Sequence, residues 1–358
     1  MRSKYVFSTL LVCAGIGGVL WQLRNYPASS DWGDRKSVER VPGKADTPHR
    51  SSADDGGYRQ VTVAQWGQER YLIYLPLYVA MEERFFDQQK LKVGLKFTGN
   101  DDQTFAVVIQ GGAQFGIGDP AFAAISRERG FQGKVVATVV GGVAIWGLTN
   151  NDKVPVITKA EELAGLRVGT FPEPSTNYTL MKELIASRPD VLKDTTIVQA
   201  PIGSQIALLE AGKADIAMEL EPATSISESK GYRVVYSSPK FHGPFAFTGV
   251  TVTENLTKTD ADLVQNFVTA LERAVVACHE DPNIAARVGK KLFANLDATV
   301  IEKAVGRMLD EDTFPEHVLV SDEAWQNTLR SRLTVGDLKK PQATGETVDN
   351  TFARNAMQ

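Results

Sequence analysis

From Val61 onward, short apolar runs alternate with stretches whose apolar positions recur at helical spacing. Val61–Ala64, Leu91–Phe97, Gln114–Gly118, Val135–Val140 and Ile145–Thr149 read as strands. Between them, Leu75–Gln89, Phe105–Gln110 and a stretch that Pro120 opens and Arg129 ends read as helices. Gly111-Gly112 is a stop signal after the second of these.

The alternation then restarts. Thr158–Leu163 reads as a short helix, with Thr158 as N-cap and Glu161 three residues on as its capping-box partner. Strands are expected at Leu166–Thr170, Thr196–Gln199, Ala214–Glu219 and Tyr232–Tyr236. Helices are expected at Ser175–Ser187, at Ile202–Ala211 and after Pro222. A further strand, Phe247–Thr253, precedes an almost wholly helical run to about Arg332. This is an α/β pattern with mainly parallel strands, in two units followed by a helical C-terminal part.

A chain that builds one lobe, crosses to a second and returns makes a two-lobed clamp. The hinge strands then fall near Ile145–Asn150 and Phe245–Val252, with residues 59–148 and 248–333 in lobe 1 and 149–247 in lobe 2. Open α/β sheets take ligands beyond the carboxyl ends of their strands, so two such lobes share one cleft.

The N-terminus changes the picture of location. Arg2 and Lys4 precede an apolar stretch from Tyr5 to about Leu23, with no acidic residue before Asp31. Residues 1–24 therefore read as an export signal or an uncleaved membrane anchor, and the rest of the chain as extracytoplasmic. Residues 25–58 are rich in Pro, Gly, Ser, Asp and Arg without apolar periodicity, the composition of a tether. The segment 334–358 has a similarly weak pattern and reads as a tail on which Phe352 docks.

Charge and cysteine content narrow the function classes. A formal net charge of -4 gives no basic footprint for nucleic acid. The two cysteines, Cys13 and Cys278, permit no disulfide framework within the mature domain. His49, His242, His279 and His317 are scattered, with no second ligand at metal spacing, and no P-loop, nucleophile elbow or dinucleotide fingerprint occurs. No metal, cofactor or catalytic residue is expected; the chain is expected to be a monomer and not to be an enzyme.

Four stretches carry a resemblance. Leu75–Phe86 reads LPLYVAMEERFF, Gly111–Ala121 reads GGAQFGIGDPA, Leu163–Gly169 reads LAGLRVG, and Ala207–Pro222 reads ALLEAGKADIAMELEP. In this order, and across about residues 60 to 300, they resemble the solute-binding proteins of ABC importers for alkanesulfonates, taurine, nitrate and thiamine-precursor pyrimidines. Arg84 stands where that family usually has glycine. The resemblance implies a periplasmic-binding-protein-like (type II) clamp. It would deliver a small molecule to an ABC permease from the periplasm or cell exterior. A ligand sensor for a membrane signalling partner, or an enzyme on the same fold, are the alternatives.

Candidate ligand residues follow from chemistry and position. Ser175, Thr176 and Asn177 open an apolar helix after Pro172 and Pro174, where hydroxyls and free N–H groups accept anions or carbonyl oxygens. Gly118 and Asp119 lie at a strand end, where backbone can approach a ligand and Asp119 can cap the next helix. Gln65, Trp66, Tyr71, Tyr74 and, on the crossover, Trp146 suit an aromatic wall with polar tips. Glu219 and Glu221 flank Leu220 at another strand end. If both carboxylates face the cleft they disfavour a sulfonate or nitrate and favour an amine- or ring-nitrogen-bearing solute.

Overall fold

A computed structural model describes residues 56–358, so the expectations for 1–24 and most of 25–58 lie outside the described residues. Among the described residues, ten strands form two five-stranded sheets. The first runs β2-β1-β3-β10-β4, from β1 (Arg59–Gln65), β2 (Leu91–Phe97), β3 (Phe115–Gly118), β4 (Gly133–Gly141) and β10 (Ala246–Thr253). The second runs β7-β6-β8-β5-β9, from β5 (Trp146–Thr149), β6 (Arg167–Thr170), β7 (Thr196–Gln199), β8 (Ile216–Glu219) and β9 (Arg233–Ser237).

One strand in each sheet runs against the others: β10 pairs antiparallel with β3 and β4, and β5 antiparallel with β8 and β9. These are the two strands that arrive from the other lobe. A chain entering from the opposite side must run opposite to its neighbours, so the mixed sheets are a consequence of the crossings. Both crossing partners sit inside their sheets, and β10, which reads AFTGVTVT, is buried over seven consecutive residues, two of its threonines included. The edge strand β2 instead exposes alternate positions, and β7 exposes its two end residues.

The crossings themselves are residues 142–145 and 243–245, a few residues before the expected hinge strands. Trp146 and Ala246 are already paired within sheets. The links touch each other through Gly142 N–H donating to Phe245 O at 3.0 Å. Gly142 (φ 61°) and Gly243 (φ 66°) occupy backbone regions that side chains disfavour.

The C-terminal helices straddle the lobes. Helix Asp322–Val335 packs on β10 and helix Ala121–Arg127 of lobe 1, and on helix Thr176–Ser187 of lobe 2. Helix Ala298–Asp310 packs on helix Ala223–Ser229 of lobe 2. The main core extends from lobe 1 into helices Ala261–Glu280 and Ala298–Asp310, with Phe115 and Phe267 stacked at 3.9 Å between centroids.

Several local expectations change. The helix expected over Leu75–Gln89 breaks into Leu75–Glu82 and Phe85–Gln88 because Arg84 adopts φ 60°, the conformation that glycine favours. The helix expected from Phe105 begins at Asp101, where two aspartates in the first turn favour a helix N-terminus. Thr158 does meet a glutamate, but it is Glu162, whose Oε2 accepts from Thr158 N–H at 2.6 Å. Beyond Val335 the chain is packed rather than tail-like: Asp349 N–H donates to Val135 O at 2.9 Å, and Phe352 and Ala353 bury against helix Ala261–Glu280.

Candidate functional site

Four residues, each the next after a strand's last, line one narrow cavity of about 30 Å³ between the lobes. They are Trp66 after β1, Asp119 after β3, Phe171 after β6 and Leu220 after β8. Two come from each sheet, the geometry expected where two open sheets face each other. Tyr74, Phe247 and Thr248 complete the wall on the lobe 1 side, and Ser175, Thr176 and Asn177 on the lobe 2 side.

The polar end is built around Asp119. Its Oδ1 accepts from Ala121 N–H at 2.8 Å, the helix cap that its position predicts. Its Oδ2 accepts from Thr176 Oγ1 at 2.7 Å, across the cleft, and from Arg332 Nη2 at 2.5 Å. Arg332, on the straddling helix and 1% exposed, also donates to Thr179 Oγ1 at 2.8 Å and to Pro174 O at 3.2 Å. One guanidinium thus joins both lobes. These direct bonds tie the two walls of the cavity to each other.

Helix Thr176–Ser187 presents its N-terminus to the cavity. Its N-cap, Ser175, donates to Asn177 Oδ1 at 2.8 Å rather than capping a backbone N–H. Asn177 is 3% exposed, and its Nδ2 has no hydrogen-bond partner. A buried amide donor left unpaired costs free energy until something accepts from it.

Two carboxyl groups near the cleft are strongly perturbed. Burial, and next the charge of Asp119, pushes Asp101 up to about 7; its Oδ1 accepts from Asp119 N–H at 3.2 Å. Burial pushes Glu219 up to about 7, against the backbone N–H groups of Leu220 and Ile206. Glu219 acts on Tyr71 from the other lobe: burial first, then Glu69 and Glu219, raises the Tyr71 hydroxyl. Tyr71 in turn packs on Trp66 with ring centroids 5.0 Å apart.

Glu219 gives stability a pH dependence. The folded chain holds this proton where the unfolded chain has released it, so stability falls as pH rises from about 4.5 towards 7 and stays lower above. Glu219→Gln removes that loss. At pH 8 it is expected to be about 2 kcal/mol more stable than the parent in urea unfolding, and near equal at pH 4. An equal gap at both pH values would contradict this.

The remaining expected ligand residues have other work. Gln65 is fully buried, accepting from Tyr78 Oη at 3.0 Å and donating to Glu69 O at 3.2 Å, so it braces the loop after β1. Gly118 lies against Thr104 and the Trp66 Cβ, behind the wall. Trp146 is fully buried, donates Nε1–H to Glu311 Oε2 at 2.8 Å, and does not line the cavity. Glu221 likewise does not line the cavity: its Oε1 accepts from Arg307 Nε at 2.8 Å and from Ser225 Oγ at 2.9 Å. Neither Glu219 nor Glu221 lines the cavity, so the electrostatic argument that needed both of them passes to the carboxyls that do, Asp101 and Asp119.

Asp101, Phe171, Leu220, Thr248 and Arg332 were not among the expected residues. Phe171 and Leu220 carry a usable signal, since each directly follows a strand. Arg332 carries none in the sequence, because 213 positions separate it from Asp119. Among the described residues, no group of three or more His, Cys, Asp or Glu could hold a metal ion. No helix among them is long and apolar enough to cross a membrane. Cys278 is buried, which pushes its thiol up to about 12.

Comparison with known proteins adds the following. The model of the family described as "NMT1/THI5 like" matches residues 73–285. YtlA of Bacillus subtilis (strain 168), described as a binding protein, is 23% identical over 270 residues, 71% of this chain and 78% of that one. The ligand-binding component of an ABC-type import system from Staphylococcus aureus superposes with a TM-score of 0.63 at 14% identity, over 83% of this chain and 98% of that one. The periplasmic aliphatic sulphonate-binding protein SsuA of Escherichia coli gives 0.63 at 13% identity, over 81% and 92%. The desulfurization enzyme DSZB shares the fold as well, with a TM-score of 0.60 at 15% identity over 83% and 98%. The fold is thus that of periplasmic binding proteins, on which solved relatives are mostly binding proteins and at least one is an enzyme.

Proposed function

The chain belongs to the NMT1/THI5-like family, and from that premise we propose that it is an extracytoplasmic solute-binding protein serving an ABC importer. The observation that carries this reading is the convergence of four strand ends and the unpartnered Asn177 amide on one cavity between two lobes. Solute enters when the lobes part at 142–145 and 243–245, and closure seats it between Trp66 and Phe171. Closure is then what a membrane permease reads, because only the closed form presents both lobes in one fixed relation. Residues 1–24, as an uncleaved anchor, would hold the clamp beside that permease and raise its effective concentration.

The solute is a small organic molecule with a flat apolar face for the aromatic wall and one acceptor atom for Asn177 Nδ2. Thermal unfolding of the purified protein against pyrimidines, thiamine, taurine, alkanesulfonates, nitrate and aromatic carboxylates tests this. One class at about 100 times its dissociation constant is expected to add roughly 2.7 kcal/mol, a rise of several degrees. Asn177→Ala should weaken that solute by about tenfold, the worth of one hydrogen bond. A shift that survives Trp66→Ala unchanged would remove the cleft from the account.

A further inference from the structure

The polar end of the cavity already holds an anion, supplied by the protein itself. A buried guanidinium, a hydroxyl at a helix N-terminus and an amide donor are together the set that binds a carboxylate or sulfonate. Here Arg332 and Thr176 both donate to Asp119 Oδ2, and Asn177 Nδ2 beside them is left over. The pair is shielded from water, with the side chains of Arg332 and Asp119 1% and 2% exposed. Asp337, on the far side of Arg332, accepts from Nη1 at 2.9 Å and is 30% exposed.

We propose that Asp119 is a specificity-determining residue: a built-in stand-in for a bound anion that makes the cleft refuse anionic solutes and take neutral or cationic ones. An incoming sulfonate or carboxylate would find its donors taken and would face the Asp119 carboxylate in a low-dielectric space. A neutral acceptor can still use Asn177 Nδ2, and a donor can face Asp101. The proposal rests on the cavity being the solute site, but its prediction can be read without knowing the solute. Deleting the Asp119 carboxylate leaves Arg332 and Thr176 aimed at an empty, carboxylate-sized space, which a small anion from solution should fill.

The experiment compares thermal midpoints of the parent, Asp119→Ala and Asp119→Asn in chloride-free buffer, with and without sodium formate or methanesulfonate. Asp119→Ala is expected to melt lower, and formate at about 100 times its dissociation constant should raise it by roughly 4 °C. The parent and Asp119→Asn, in which an uncharged side chain fills the space, should not respond. The double variant Asp119→Ala/Arg332→Met should regain part of the lost midpoint and also ignore formate, since neither charge remains. A folded Asp119→Ala that responds to formate no more than the parent overturns the proposal. Should Asp119→Ala fail to fold alone, refolding in formate decides: recovery supports the proposal, and failure alongside a folded double variant overturns it. A missing formate response with the parent's solute-induced shift intact removes this inference and leaves the cleft reading standing.

Discussion

Arg332→Met is expected to cost about 3–5 kcal/mol in urea unfolding, a fall of roughly 10 °C in thermal midpoint. Arg332 is fully buried, and its removal leaves the Asp119 carboxylate without its counter-charge inside the protein. Thr179 Oγ1 and Pro174 O lose their donor in the same step. Removing one member of a buried pair is far more damaging than removing both, because an uncompensated charge remains out of water. Adding Asp119→Ala to Arg332→Met should therefore recover stability, and the double-mutant cycle should show coupling of more than about 2 kcal/mol. A loss below about 1 kcal/mol for the single variant would mean that the bridge between lobes is not formed in solution.

The second large effect concerns Trp146. Trp146→Ala is expected to lose about 4 kcal/mol, the usual cost of emptying a buried aromatic site. Its indole donates to Glu311, which also accepts from Ser237 Oγ and pairs with Lys240 at 3.0 Å, and Arg307 lies 5.7 Å above the ring. The tryptophan thus ties the first residue after one crossing to the end of helix Ala298–Asp310. Trp146→Phe keeps most of the volume and loses the hydrogen bond, for about 2 kcal/mol. Since the side chain does not line the cavity, Trp146→Phe should leave solute affinity within about twofold, whereas Trp66→Ala should abolish it. Equal losses of affinity in the two variants would put Trp146 back in the site.

Much of the fold was legible because the period of the apolar pattern survives burial. The strand and helix order from Val61 to Thr253 follows from alternation and from Gly and Pro punctuation. What the pattern missed was set by distant contacts. Residues 334–358 have too few apolar positions to announce a packed segment, yet Val348 and Phe352 bury because β4 and helix Ala261–Glu280 offer them surfaces. The left-handed Arg84 broke a helix that periodicity alone carried to Gln89, although its place at a usual glycine was the available clue.

The site divides in the same way. Trp66, Tyr74, Asp119 and the run Ser175–Asn177 were readable because local position aims them: each lies just past a strand or at a helix start. Trp146 and Glu221 carry the same residue types at similar places, but their side chains turn to Glu311 and Arg307, and only the packed C-terminal helices decide that. Arg332 is the converse case. It stands in a helix that reads as an ordinary amphipathic element, and its role exists only once two lobes and Asp119 meet around it.

The account's central claim is that a small solute binds between the lobes. A crystal structure of the protein with the solute that raises its thermal midpoint tests it most directly. The expected result is solute density between Trp66 and Phe171, with an acceptor atom within hydrogen-bond reach of Asn177 Nδ2. The contradictory result is an empty cleft with the solute seated elsewhere, for instance in the second cavity behind the crossings, lined by Gly142, Lys240, Phe245 and Glu311.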